Sequence, residues 1–264
     1  MLALACGDET TEPAVTDAGV DAGPETGSEV PDAAPPKEAD AGADAAPDAP
    51  VTKGFCASLA AKPRFCDDFD DADLKNNWDV ATIVNGDGDL DPTDATSPPA
   101  SFAVETAPLG NGQAANVHLR ATATGAPTGH VKLTFSVRLA TTTFTQGVVA
   151  IATLDVSQTH FFTLYLRDGD PTAPAATLEE TTASGTTRHL LTKVPPANTW
   201  TRATIDLDLG ASKASVFWGA DEALDAVAIT PGPALDPTIR IGAVYVFGPA
   251  DAVSARFDDV VLDF

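Results

Sequence analysis

Positive charge is scarce in this 264-residue chain: 15 Lys and Arg stand against 38 Asp and Glu, a formal net charge of −23 at pH 7. Nucleic acids and anionic lipid headgroups are recognised by clustered Lys and Arg, so this balance argues against both as partners. Long apolar runs are missing as well. No stretch approaches the ~18 residues of a membrane-spanning helix, and the apolar run before Cys6 is only Met1 to Ala5. Aromatic rings that could stack on sugars are few, with 3 Trp and 2 Tyr beside 12 Phe. Catalytic signatures are absent too: there is no G-x-S-x-G elbow, no H-E-x-x-H and no phosphate-binding glycine loop. The four histidines, His118, His130, His160 and His189, lie far apart, each at a strand position or edge, where a polar residue on a solvated face is the expectation.

What is present is unevenly distributed. Residues 7–50 contain no Leu, Ile, Phe, Trp or Tyr, but 12 Asp or Glu and a single Lys, in repeated Asp-Ala, Ala-Pro and Asp-Ala-Gly units. Such a segment buries too little apolar surface to offset its conformational entropy, so it is expected to be a disordered, extended tether. Residues 51–264 form one domain-sized block that is itself acidic, with 26 acids against 14 bases.

The three cysteines are Cys6, Cys56 and Cys66. Leu4, Ala5 and Cys6 resemble the end of a bacterial lipoprotein signal, although Ala3 stands where that family usually has Leu. The resemblance implies that residues 1–6 are a truncated signal remnant and that Cys6 carries lipid. It also implies that the membrane is reached through that lipid alone, at an outer membrane or cell surface or on a periplasmic face. Cys56 and Cys66 are then left as an even pair ten residues apart, which an oxidising compartment would join. By loop entropy such a bridge contributes roughly 2–3 kcal/mol.

Beyond residue 64 the dominant period is two. HVKLTFSVRL (130–139) sets Val131, Leu133, Phe135, Val137 and Leu139 against polar neighbours, and WTRATIDLDL (200–209) does the same with Ala203, Ile205, Leu207 and Leu209. Similar runs occur at 115–121, 147–155, 159–167, 213–219, 238–246 and 255–264, separated by turn clusters such as TGAPTG and FGPAD. About a dozen short strands without a helical period predict an all-β, two-sheet antiparallel jelly-roll sandwich.

The block opens RFCDDFDDADLKNNWDV, carries TWTRATIDLDLGASKASVFWG and closes IRIGAVYVFGPADAVSARFDDVVLDF. These stretches resemble the concanavalin A-like lectin/glucanase jelly roll of the laminin-G-like type. The resemblance implies that the opening strand pairs with the closing one and that Trp78 and Trp200 are core residues. Its glycan-cleaving members carry an E-x-D-x-x-E strand, which this chain lacks. The block has only Glu105, Glu179, Glu180 and Glu222, and adjacent Glu179 and Glu180 on a strand would face opposite ways.

The expectation is therefore a monomeric, non-catalytic surface module that binds a polysaccharide or matrix ligand. The alternatives are a diverged hydrolase or lyase, and a structural envelope module. Candidate platform rings are Trp218, Tyr165 and Tyr245, with Arg167 and Arg240 as donors to sugar hydroxyls. A structural Ca²⁺ has two candidate places. One is Asn85–Asp91, where Asp87 and Asp89 stand at alternate positions but Leu90 occupies the usual glycine, so that a polar hairpin turn is favoured. The other is formed by Asp67, Asp68 and Asp70 approaching Asp258 and Asp259, where paired strands would bring like charges together and a bulge is expected.

Overall fold

The computed structural model describes residues 54–142, 144–167 and 176–264, so Cys6 and the expected tether at 7–50 lie outside the described residues. One four-residue helix, α1 (Phe55–Ser58), precedes fifteen strands. In chain order these are β1 (Phe65–Asp67), β2 (Val80–Val84), β3 (Asp87–Asp91), β4 (Ser101–Thr106), β5 (Ala114–Thr122), β6 (His130–Leu139), β7 (Val148–Ser157) and β8 (His160–Arg167). They continue as β9 (Ala176–Thr182), β10 (Gly185–Leu190), β11 (Thr201–Asp208), β12 (Lys213–Trp218), β13 (Asp221–Ala228), β14 (Thr238–Phe247) and β15 (Val253–Asp263).

The strands form two antiparallel sheets. One has the order β13-β12-β11-β6-β15-β4-β3, with β1 also paired to β15; the other runs β10-β9-β8-β7-β14-β5-β2. The period of two explains why they stack. On β6, Val131, Leu133, Phe135, Val137 and Leu139 are all buried, and on β11 Ala203, Ile205 and Leu207 are buried opposite them in register. Facing residues of the other sheet, among them Leu119, Leu154, Phe162, Leu164, Ile239 and Ile241, complete a single core between the layers. Each such side chain contributes roughly 1.5–3 kcal/mol by leaving water.

The first strand does pair with the last: Phe65, Cys66 and Asp67 of β1 lie opposite Leu262, Val261 and Val260 of β15. β4 occupies the same side of β15 further back, at residues 253–257. Between the two partners the β15–β6 register breaks at Asp258/Val261, and Asp259 adopts φ 51°, which is the expected bulge. Cys56 and Cys66 form a disulfide with Cα atoms 5.8 Å apart. It holds α1 beside β1, where the Cys56 N–H donates to Asp68 Oδ2 at 2.7 Å and the Arg202 guanidinium lies 4.9 Å above the Phe55 ring.

Residues 85–91 are not a hairpin. β2 belongs to the seven-stranded sheet and β3 to the other, so the Gly- and Asp-rich segment carries the chain from one layer to the next. Trp78 is buried as expected, but Trp200 is only half-buried and donates its Nε1–H to Asp94 at 2.9 Å. A carboxylate partner on a distant loop holds that indole at the sheet margin rather than in the core.

Candidate functional site

The outer face of the seven-stranded sheet is set by the residues that alternate with its core. On β5 these are Asn116, His118 and Arg120, on β14 Arg240, and on β8 Tyr165 and Arg167. Register aligns them across the strands. Arg120 stands opposite Arg240, Arg240 opposite Thr153, Thr153 opposite Thr163, Thr163 opposite Glu179 and Glu179 opposite Arg188. The next row places Ala150 between Tyr245 on β14 and Tyr165 on β8. Ala150 itself is 1% exposed, covered by the side chains around it.

One end of the face is basic and under-paired. Arg240 Nη1 donates to Asp155 Oδ2 at 2.8 Å and to Thr153 Oγ1 at 3.2 Å. Arg120 makes no ion pair among the described residues, and its buried Nε–H has no acceptor. His118 Nδ1 is likewise buried without a partner. Burial, and then the charges of Arg240 and Arg120, push the His118 imidazole down to about 4, so it is neutral at pH 7. Burial pushes the Asp155 carboxyl up, opposed by Arg240. An open cleft of about 670 Å³ lies here, lined by Arg120, Arg240, Asp155, Asp236, Thr238 and Gln158.

Glycine at position 242 makes the close strand approach beside His118 feasible. Gly242 is opposite His118 with φ +132°, and a Cβ there would collide with the Val117 carbonyl oxygen.

At the other end, Arg167 Nη2 and Arg188 Nε both donate to Glu179 Oε1, the latter at 3.2 Å. Arg167 also donates through Nε to Thr177 Oγ1 at 3.1 Å, and its guanidinium lies 5.4 Å from the Tyr165 ring centre. Burial and the Glu179 charge push the Tyr165 hydroxyl above its ordinary range. Tyr245 and Phe247 project their rings in a stack, with centroids 6.2 Å apart and planes 8° from parallel. They are 41% and 46% exposed, among the most exposed large apolar side chains of the described residues.

The structure thus brings Tyr165, Tyr245, Arg167 and Arg240 onto one face. It does not bring Trp218 there. Trp218 is 4% exposed on β12 of the opposite sheet, where its Nε1–H donates to the Lys193 carbonyl at 3.1 Å, so it offers no ring to a ligand. His118 and Arg120 were missed as site residues. The signal was the alternation in ANVHLRA, which places both on one face of a strand. His160 and His189 also depart from the solvated-face expectation. Both are inward, with His160 Nε2 3.0 Å from Glu180 Oε1 and His189 Nε2 3.6 Å from Glu180 Oε2. Glu180 therefore faces the interior while Glu179 faces outward, and the two cannot act on one sugar bond.

The calcium candidates do not assemble into a ligand set. Among the described residues, no group of three or more His, Cys, Asp or Glu side chains is arranged to hold a metal ion. Asp87 and Asp89 accept from the backbone N–H groups of Gly88 and Leu90, at 3.0 and 2.8 Å. Asp67 is buried and accepts from the Trp78 indole and the Phe69 N–H. Asp258 accepts from the Thr96 and Ser97 N–H groups, and Asp259 from the Ser97 and Ser136 hydroxyls. The expected repulsion is nevertheless real. Burial raises Asp70 to about 6, with Asp68 and Asp259 adding to it, and burial raises Asp258 to about 7.

No protein-family model matches this chain, and no curated protein matches it. Among solved structures it is similar to the cellulose-induced protein Cip1, at 16% identity and a TM-score of 0.53, covering 75% of this chain and 96% of that one. It is also similar to an endo-β-1,4-glucuronan lyase from the fungus Trichoderma reesei, at 10% identity and a TM-score of 0.57, covering 76% and 95%. At these identities the likeness shows a shared jelly-roll sandwich and nothing finer.

Proposed function

We propose that this protein is a non-catalytic glycan-binding module of the concanavalin A-like type, and that the outer face of the seven-stranded sheet is its binding surface. One observation carries the reading: Tyr245 and Tyr165 flank Ala150 in a single row, with Arg240 and Arg167 on the same face beside an open cleft. Sugar rings present C–H faces that pack on aromatic rings, and hydroxyls that need donors and acceptors placed around them. The likeness to a cellulose-induced protein and a glucuronan lyase is compatible with this surface. Lipid on Cys6 and the acidic tether belong to the same proposal: they would display the module at the cell surface or on a periplasmic face. Retention of the full chain on a panel of immobilised polysaccharides tests the binding. Tyr245→Ala and Tyr165→Ala should each weaken it about tenfold; retention unchanged in both variants contradicts the assignment.

A second reading is favoured by His118. Its Nδ1 is buried without a partner, as is Arg120 Nε. A sugar carboxylate bound at Arg120 and Arg240 would offset the charges that add to burial in holding the imidazole a weak base at about 4, bringing it towards the range of a general base. In such an elimination the C5–H proton passes to the base, a C4–C5 double bond forms, and the C4–O bond breaks with its electron pair going to the departing sugar oxygen, which takes a proton from water. Ultraviolet-absorbing unsaturated ends released from a polyuronate would establish this reading over plain binding. New reducing ends without unsaturation would point to hydrolysis instead.

A further inference from the structure

We infer that the glycan taken by this face is a polyanion held at two separate arginine clusters, so that recognition requires a chain of acidic sugars and not a single acidic residue. This rests on the glycan-binding reading and names the chemical class of its ligand.

The distribution of arginine is the first ground. The chain has eight arginines, and four of them, Arg120, Arg240, Arg167 and Arg188, stand on the outer face of one sheet. Three others, Arg138, Arg202 and Arg256, lie on the opposite sheet and each has a carboxylate partner there, Asp94, Asp259 and Asp91, so this face differs in its incomplete pairing. Two carboxylates accompany the four arginines of this face, and each is already engaged: Asp155 by Arg240, and Glu179 by Arg167 and Arg188. The Glu179 end therefore carries two guanidinium groups for one carboxylate; at the cleft Asp236 also stands in the lining, accepting from the Gly125 N–H, and the surplus there is the unpaired Arg120.

The surplus groups are poised for an anion. Arg120 has no ion pair among the described residues and a buried Nε–H without an acceptor, which is unfavourable until an anion arrives. The Arg188 side chain is 60% exposed, leaving most of its donors free. Guanidinium forks match the planar geometry of carboxylates, and they bind sulfate oxygens by the same charge-assisted hydrogen bonds. A ligand carrying ring carboxylates or sulfate esters supplies what both ends lack.

Spacing is the second ground. Arg240 lies on β14 and Glu179 on β9, with β7 and β8 between them. Three strand steps span about 14 Å, a distance one sugar does not bridge. The row between the clusters is Thr153 and Thr163, both uncharged. Both are buried, Thr153 beneath Arg240, so a polysaccharide crossing the strands would place acidic groups at the two ends and an uncharged stretch over this row. Joining two modest contacts on one chain multiplies their effect.

Titration of the full chain tests this, using polygalacturonate, its methyl ester, dextran sulfate, unmodified dextran and single-stranded DNA. The expected result is at least about tenfold tighter binding of a charged polymer than of its neutral counterpart. Polygalacturonate against dextran sulfate identifies the acidic group. Within a series of oligogalacturonates, affinity should rise steeply once the oligomer spans both clusters. Arg188→Ala should remove that rise while leaving short oligomers unaffected. Arg120→Gln should weaken short and long oligomers alike while lowering the melting temperature little, since Arg120 acts on Asp155 only through its charge and its Nε–H has no acceptor to lose. Anionic oligomer should also move the His118 proton resonances towards titration at higher pH, which a merely structural arginine pair would not do. Equal binding of charged and neutral polymers, still dependent on Tyr245, leaves the glycan reading standing and overturns the polyanion. A length series without a step overturns the two-cluster arrangement. DNA binding as tightly as polygalacturonate overturns the choice of glycan, and no binding to any polymer overturns the underlying reading as well.

Discussion

Asp258 shows how one buried carboxyl ties the β15 bulge to solution pH. It is fully buried and accepts from the Thr96 and Ser97 N–H groups at 2.7 and 2.9 Å. Burial is the main cause that lifts it from 3.8 to about 7; the Ser97 hydrogen bond opposes the rise and Asp259 adds to it. A carboxyl raised in the folded state favours folding when protonated. Its contribution is complete below 3.8 and lost as pH rises through about 7. His118 acts with the opposite sign, because its protonation is resisted from 6.5 down to about 4, and stability is lost over that fall. The two effects overlap only below 6.5. The melting temperature should therefore rise as pH is lowered from about 8.5 to about 6.5, and Asp258→Asn should flatten that slope. An unaltered slope in the variant would show that Asp258 titrates normally.

At the scale of elements, the Cys56–Cys66 bridge pins α1 to the head of β1, the strand that closes against β15. Changing both cysteines to serine should destabilise the protein by about 2–3 kcal/mol and lower its melting temperature by about 5–10 °C. Scanning fluorimetry with and without reductant reads this directly, and a melting temperature indifferent to reductant would mean that α1 contributes nothing. Strands β6 and β11 were legible in the sequence because their buried residues are apolar and strictly alternate. Strand β9 was not. It buries Glu179 and Glu180 on its two sides by giving each a basic or N–H partner, Arg167 and Arg188 for one, His160 and Thr230 for the other. Those partners lie on other segments, so no hydrophobic alternation marks the strand. β13 hides for a related reason, being an edge strand with two register shifts against β12.

For the whole molecule, sequence alternation was enough to read the sandwich class, and the family resemblance implied the pairing of first and last strands, but neither gave the site. His118 and Arg120, Thr153 and Tyr165, Glu179 and Arg188, and Arg240 and Tyr245 come from four separate regions of the chain. Only the strand order β10-β9-β8-β7-β14-β5-β2 lays them side by side. Trp218 failed as a platform for the complementary reason: its alternation put the ring on the buried face of the other sheet, which ring chemistry alone could not reveal. The central claim is that this single face is where the protein meets a glycan. Hydrogen–deuterium exchange of the full chain, with and without a retained polysaccharide, tests it most directly. The prediction is added protection in β5, β7, β8 and β14, with β11, β12 and β13 unchanged. Protection confined to β11, β12 and β13, or none in the presence of saturating polysaccharide, would contradict it.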